Sequence, residues 1–270
     1  MKNVVVCLIG ALAVGVLADS LPALPRIQSP EAPFAPKAVE LETPTLAIAS
    51  DRVTAGTKSL TWQNRSKNID ILANGRAVAS WQARADPSKK WDPFNKFTLV
   101  SERDGCIIRS CKFLAGTFTQ EFSIEGDRAV VVSKARINEG EKFKNLVMPL
   151  EIPFDLAVGR RLLVRDRTGK VTEITLPQEG DWGDRSNDSK LWAGNGGVGA
   201  VAEFTYDPDH PEFSFTIRYR AGDYANLQIY RAKSGAFVYA TPVTKAVLGA
   251  GARFEVVFGK CARRTRPTRS

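Results

Sequence analysis

Across 270 residues, 38 lysines and arginines against 29 acidic side chains give a formal charge of +9, a balance that resembles a nucleic-acid binder. Its distribution argues against that class: Lys2 lies in an N-terminal processing signal, and Lys260, Arg263, Arg264, Arg266 and Arg269 fall in an acid-free tail, leaving the body nearly balanced. The single histidine, His210, argues against a zinc site. It also makes any Ser-His-Asp or Cys-His hydrolase depend on that one residue, and no Gly-x-Ser-x-Gly elbow is present.

Residues 1–18 have the form of a signal peptide. Lys2 gives the positive start, 4–17 is an uncharged apolar run, and Val16 and Ala18 stand where a signal peptidase reads before Asp19. The run is too short to span a bilayer comfortably, and a retained anchor is the alternative. Cys7 lies inside it rather than after a small-residue cleavage box, which argues against lipoprotein processing. A secreted or periplasmic protein is expected. Over 19–45, Pro22, Pro25, Pro30, Pro33, Pro36 and Pro44 recur, so helix is prevented and a linker or surface strap is expected.

From residue 46 to 259 the pattern is strand, turn, strand. Ile69, Ile71 and Leu72 lead into Asn74-Gly75, a strong hairpin turn, and out into Val78 and Trp81. Arg103-Asp104-Gly105 and Glu125-Gly126-Asp127 mark two more turns, and Thr168-Gly169 separates two strands over 162–164 and 171–176. Phe118, Phe122 and Ile124 alternate with Thr119, Glu121 and Ser123. Phe213, Phe215, Ile217 and Tyr219 alternate with Ser214, Thr216, Arg218 and Arg220, the period of strands with one polar face. The one helical candidate, 141–150, is weakened by Pro149 and Pro153. About a dozen short strands predict one all-β domain, an antiparallel β-sandwich or barrel.

Cys106, Cys111 and Cys261 remain after processing. An oxidising compartment permits a disulfide, but Cys106 and Cys111 would face opposite sides of a regular strand. Their direct pairing needs a bend, and either could pair with Cys261 instead, so connectivity stays open. The basic tail over 260–270 offers a salt-dependent contact with an anionic surface, with a solvated tail as the alternative.

The longest stretch without an apolar period is 181–197, which carries Asp181, Trp182, Asp184, Arg185, Asn187, Asp188, Lys190, Trp192 and Asn195. A loop of this length in a compact domain is usually functional. Its glycines, Gly194, Gly196, Gly197 and Gly199, lead into a strand rather than a helix, unlike a nucleotide-binding turn. Asp181, Asp184, Asn187 and Asp188 offer hard oxygen ligands such as calcium prefers, with a hydrogen-bonded polar loop as the alternative; no other cofactor is implied. Trp182 and Trp192 present flat rings on which the C–H faces of sugars stack, while Asp184, Arg185 and Asn187 would bond hydroxyls. Trp91 lies in a second loop, whereas Trp62 and Trp81 fit strand positions and belong to the core. Asp209-His210-Pro211-Glu212 sets the histidine among carboxylates. That makes His210 a candidate general acid with Glu212 or Asp184 as partner, the bland alternative being a solvated turn.

The stretches 227–230, 237–242 and 251–258 resemble the end of a galactose mutarotase-like β-supersandwich domain, where a late strand is followed by a proline-containing loop and a closing strand introduced by glycine. The resemblance covers about residues 200–258 and implies a supersandwich-like architecture for the single domain over 46–259, and a carbohydrate ligand. Sugar epimerases of this group use a histidine acid and a glutamate base; this chain has His210 and several late glutamates but no second histidine, so that pattern is not matched. The expected function is carbohydrate binding outside the cytoplasm. The alternatives are a carbohydrate-active enzyme on the same scaffold, mutarotase-like or polysaccharide-degrading, and a non-catalytic envelope or interaction protein.

Overall fold

The computed structural model describes residues 41–62, 68–82, 84–86, 92–93, 97–113, 116–141, 145–175, 189–195, 201–232, 235–242 and 245–262. After β1 (Leu41–Glu42) the chain runs through β2 (Leu46–Ala49), β3 (Arg52–Ala55), β4 (Lys58–Thr61), β5 (Asn68–Ala73) and β6 (Arg76–Gln82). Two short strands, β7 (Arg84–Asp86) and β8 (Asp92–Pro93), precede a second run: β9 (Thr98–Arg103), β10 (Cys106–Phe113), β11 (Gly116–Glu125) and β12 (Arg128–Ile137). Next come β13 (Asn145–Val147), β14 (Leu150–Pro153), the one-turn helix α1 (Phe154–Ala157), β15 (Arg161–Asp166), β16 (Val171–Thr175) and β17 (Ser189–Asn195). The last part holds β18 (Val201–Tyr206), β19 (Phe215–Tyr219), β20 (Tyr224–Ala232), β21 (Gly235–Pro242), α2 (Lys245–Ala250), β22 (Ala252–Val257) and β23 (Cys261–Ala262).

Two nine-stranded antiparallel sheets dominate. One has the order β16-β15-β18-β19-β22-β12-β11-β10-β9 and the other β17-β20-β21-β14-β6-β5-β4-β3-β2. β13, β7 and β8 form a small third sheet, and β1 pairs with β23, so the two ends of the described chain are tied together. The fold is an all-β antiparallel sandwich, as the strand pattern predicted.

The turn chemistry explains the hairpins. Asn74 and Gly75 both adopt positive φ, 52° and 80°, which is what a two-residue turn matching the twist of its flanking strands requires. Ala73 and Arg76 then close the pair between β5 and β6. Alternation explains the layers. On β11, Phe118 and Phe122 are fully buried while Thr119 and Glu121 are half-buried on the opposite face. The sheets meet ring on ring: Trp62 stacks on Phe122 with centroids 3.8 Å apart, and Trp81 tilts against Phe254 at 4.9 Å. Burying each such ring contributes roughly 1.5–3 kcal/mol. Trp62 and Trp81 are therefore core, as their strand positions implied.

Three local expectations change. The stretch 189–195, expected to continue the long loop, is a strand, because β17 pairs along β20 with a register shift between Lys190 and Trp192 that the apolar pattern conceals. The weak helical candidate over 141–150 instead holds β13 and the start of β14. Helix appears in α1, which begins directly after Pro153, and in α2, both too short to show a helical period. As their parity on one strand required, Cys106 is half-buried and Cys111 is buried, and neither these two nor Cys261 is joined in a disulfide.

Candidate functional site

The outer face of the first sheet carries a charged ladder. Arg165 on β15 sits opposite Glu203 on β18, Glu203 opposite Arg218 on β19, and Arg218 opposite Glu255 on β22. Strand parity puts all four on the solvent side, since Val164, Phe204, Ile217 and Phe254 between them are buried. Arg218 Nε donates to Glu203 Oε2 at 2.9 Å. Arg165 Nε stands 3.7 Å from the other oxygen of the same carboxylate. Opposite charges facing one another across strands each contribute roughly 0.2–1 kcal/mol.

A second tier of arginines frames this ladder. Arg253 holds Glu125 through two hydrogen bonds of 2.8 and 2.6 Å and also bonds Glu255 Oε1 at 2.7 Å. The Glu125 hydrogen bonds raise the Arg253 guanidinium above its usual range. Burial pushes the Glu255 carboxyl up, but the hydrogen bonds from Arg253 and Arg128 outweigh it, so it sits below its ordinary value. Arg220 bonds Asp223 Oδ2 and the Gly251 carbonyl, each at 2.7 Å. Arg167, just past β15, donates to the Tyr219 carbonyl, and burial lowers its guanidinium somewhat. Arg165, Arg167, Arg218, Arg220 and Arg253, with Glu203 and Glu255 between them, line an open groove of about 430 Å³ across β15, β18, β19 and β22.

His210 lies in the turn between β18 and β19. Its Nδ1 is 2.7 Å from Asp207 Oδ1, and Arg160 approaches both the ring, at 2.7 Å from Nδ1, and Asp207 Oδ2, at 3.0 Å. A guanidinium only donates, so Nδ1 either accepts from Arg160 or, when it carries a proton, donates to Asp207. Asp207 is 2% exposed in side chain, whereas the His210 ring is 46% exposed. The turn is clamped from below by Lys58, whose Nζ donates to the carbonyls of Pro211 at 2.5 Å, Ser214 at 2.6 Å and Phe258 at 2.6 Å. Lys58 is 1% exposed, and burial lowers its pKa.

A third feature lies where the far edges of the sheets meet. Ser50, Asp51, Trp62, Phe97, Leu99 and Arg109 line a cleft of about 90 Å³, room for a few waters. Arg109 packs over the Phe97 ring at 4.2 Å and donates to Gln120 Oε1 at 2.9 and 2.7 Å. Its burial pushes the guanidinium down to about 9.

Of the residues singled out from sequence, Trp182, Asp184, Arg185 and Asn187 lie outside the described residues, as do Trp91 and the proposed oxygen ligands Asp181 and Asp188. Trp192 is on β17, an edge strand of the second sheet. The stretch joining β16 to β17 thus connects the edge strand of one sheet to the edge strand of the other. His210 is brought together with Asp207 and Arg160 rather than with Glu212, among the described contacts. Among the described residues no group of three or more His, Cys, Asp or Glu side chains could hold a metal. The groove arginines were not singled out as site residues; the alternation with apolar residues placed only Arg218 and Arg220 on a polar face. Comparison with protein-family models and with curated proteins finds no match.

Proposed function

We propose that this chain is a carbohydrate-binding protein of the secreted or periplasmic space, with the supersandwich-like architecture that its C-terminal stretches resemble. The observation that carries this reading is the groove over β15, β18, β19 and β22. Guanidinium forks offer paired N–H donors in a fixed plane, and Glu203 and Glu255 offer acceptors between them. Vicinal sugar hydroxyls both donate and accept, so an alternating row of such groups suits them. The groove begins one strand in from β16, the described strand that precedes the tryptophan-bearing stretch 181–188 in sequence. Trp182 and Trp192 supply stacking surfaces in this reading. The signal-like 1–18 stretch supports the compartment.

The contact between His210 and Asp207 favours a second reading, a carbohydrate-active enzyme. Arg160 bonds the ring, however, and the buried Lys58 holds the Pro211 and Ser214 carbonyls of the same turn, which gives the turn a structural task. Of the two expected partners, Glu212 is not among the described contacts of His210 and Asp184 lies outside the described residues. Binding without turnover is therefore preferred. Titration calorimetry of the chain from residue 19 against a panel of soluble polysaccharides tests it. Binding to at least one glycan is expected, unchanged in His210→Ala and without release of new reducing ends. Absence of binding to every glycan, or cleavage abolished by His210→Ala, contradicts it.

A further inference from the structure

We infer that the groove selects carbohydrate chains bearing acidic groups, carboxylate or sulfate, and that Arg165 and Arg167 receive them. This rests on the carbohydrate reading above and adds the class of ligand. Five arginines, Arg165, Arg167, Arg218, Arg220 and Arg253, line the groove against two carboxylates, Glu203 and Glu255. Counter-charge from outside the lining is distributed unevenly. Arg253 is neutralised by Glu125 as well as Glu255, and Arg220 by Asp223. Arg218 takes Glu203 at 2.9 Å, leaving Arg165 a loose 3.7 Å contact with an already engaged carboxylate. Arg167 donates to the neutral Tyr219 carbonyl and shares the charge of Asp223, which Arg220 already bonds, without a hydrogen bond to it. Asp166, between the two, spends one oxygen on Thr168 and the Lys170 amide in the β15–β16 turn. Positive charge in excess of its counter-ions therefore collects at the β15 end.

The cations are all arginine, whose fork binds carboxylate or sulfate through two parallel hydrogen bonds and is more weakly hydrated than an ammonium. Arg165 and Arg218 stand two strands apart, roughly 10 Å at ordinary sheet spacing. A chain lying across the strands would thus meet Arg165 and Arg218 in turn, with Glu203 between them already held by Arg218. Single-stranded nucleic acid is disfavoured because Tyr219, the one aromatic residue of the lining, is 4% exposed and offers no face for bases to stack on.

The test compares a soluble polyuronate, a sulfated polysaccharide, a neutral polysaccharide of matched length and single-stranded DNA. Each is titrated into the parent chain, the double variant Arg165→Gln/Arg167→Gln, and Arg103→Gln, which removes a charge on β9 at the opposite edge of the sheet. Thermal melts check that all three remain folded. The expected result is at least about tenfold tighter binding of one acidic polymer than of the neutral one at low salt. The double variant loses about tenfold of that affinity or more, and Arg103→Gln leaves it unchanged. Which acidic polymer wins identifies carboxylate or sulfate. Equal binding of the neutral chain overturns this inference and leaves the carbohydrate reading standing. Failure of every glycan overturns both. Equal or tighter binding of DNA, or equal losses in both variants, overturns it in favour of non-selective charge attraction.

Discussion

Arg253 on β22 grips Glu125 at the end of β11 through two hydrogen bonds of 2.8 and 2.6 Å, across 128 positions of sequence. With Glu255 and Arg128 it forms the inner wall of the charged face. The same residues that border the groove thus fasten three strands of its sheet, β11, β12 and β22, and site and scaffold share their electrostatics.

Acid should loosen this face. Glu255 and Glu125 have folded-state pKa values below their ordinary 4.5. Their stabilisation is present above that value and is lost as pH falls through the folded value. Urea midpoints should therefore decline between neutral pH and about pH 3. Glu255→Gln should cost about 1–2 kcal/mol at neutral pH and flatten the decline. An unchanged pH profile in the variant would show that other carboxylates govern it.

Lys58→Met should destabilise the sandwich by about 3 kcal/mol or more. The methionine fills much of the volume but leaves the Pro211, Ser214 and Phe258 carbonyls without their shared donor. Chemical denaturation measures the loss. Because two of those carbonyls belong to the turn that follows His210, the variant should also speed amide exchange over 207–214.

Gly251→Ala should cost about 2–3 kcal/mol. Gly251 adopts φ +110°, and an added Cβ would lie 2.7 Å from Val132 Cγ1 and 3.1 Å from Lys134 Cε. Its carbonyl also anchors Arg220, so thermal melting and acidic-glycan affinity should fall together.

The sheets were legible because their signals are local. Asn74-Gly75, Asp104-Gly105 and the alternation around Phe118 specify hairpins and faces within about ten residues. The pairing of β12 with β22 carries no such mark, since Val130 and Glu255 are brought together only by closure of the sheet. For the same reason the groove was half visible: Arg218 and Arg220 stood out as polar alternates, but their juxtaposition with Arg165, Arg167 and Arg253 depends on strand order. Lys58 and Arg109 were invisible for a different reason. Lys58 is satisfied by carbonyls such as that of Phe258, 200 positions away, and Arg109 by the Gln120 amide of the neighbouring strand and the Phe97 ring just before β9. A lysine or arginine in an alternating strand reads as solvent-facing. His210 was visible as the chain's single histidine, but its contact with Asp207 was not, because Asp207 reaches it through a turn closed by the His210 amide bonding the Asp207 carbonyl.

The central claim, that the outer face of β15, β18, β19 and β22 is the ligand surface, is tested most directly by hydrogen–deuterium exchange with and without a saturating acidic polysaccharide. Slowed exchange concentrated in those four strands and the turn after β15 is the predicted result. Protection concentrated instead around Ser50, Phe97 and Leu99, or no change in any strand, would contradict it.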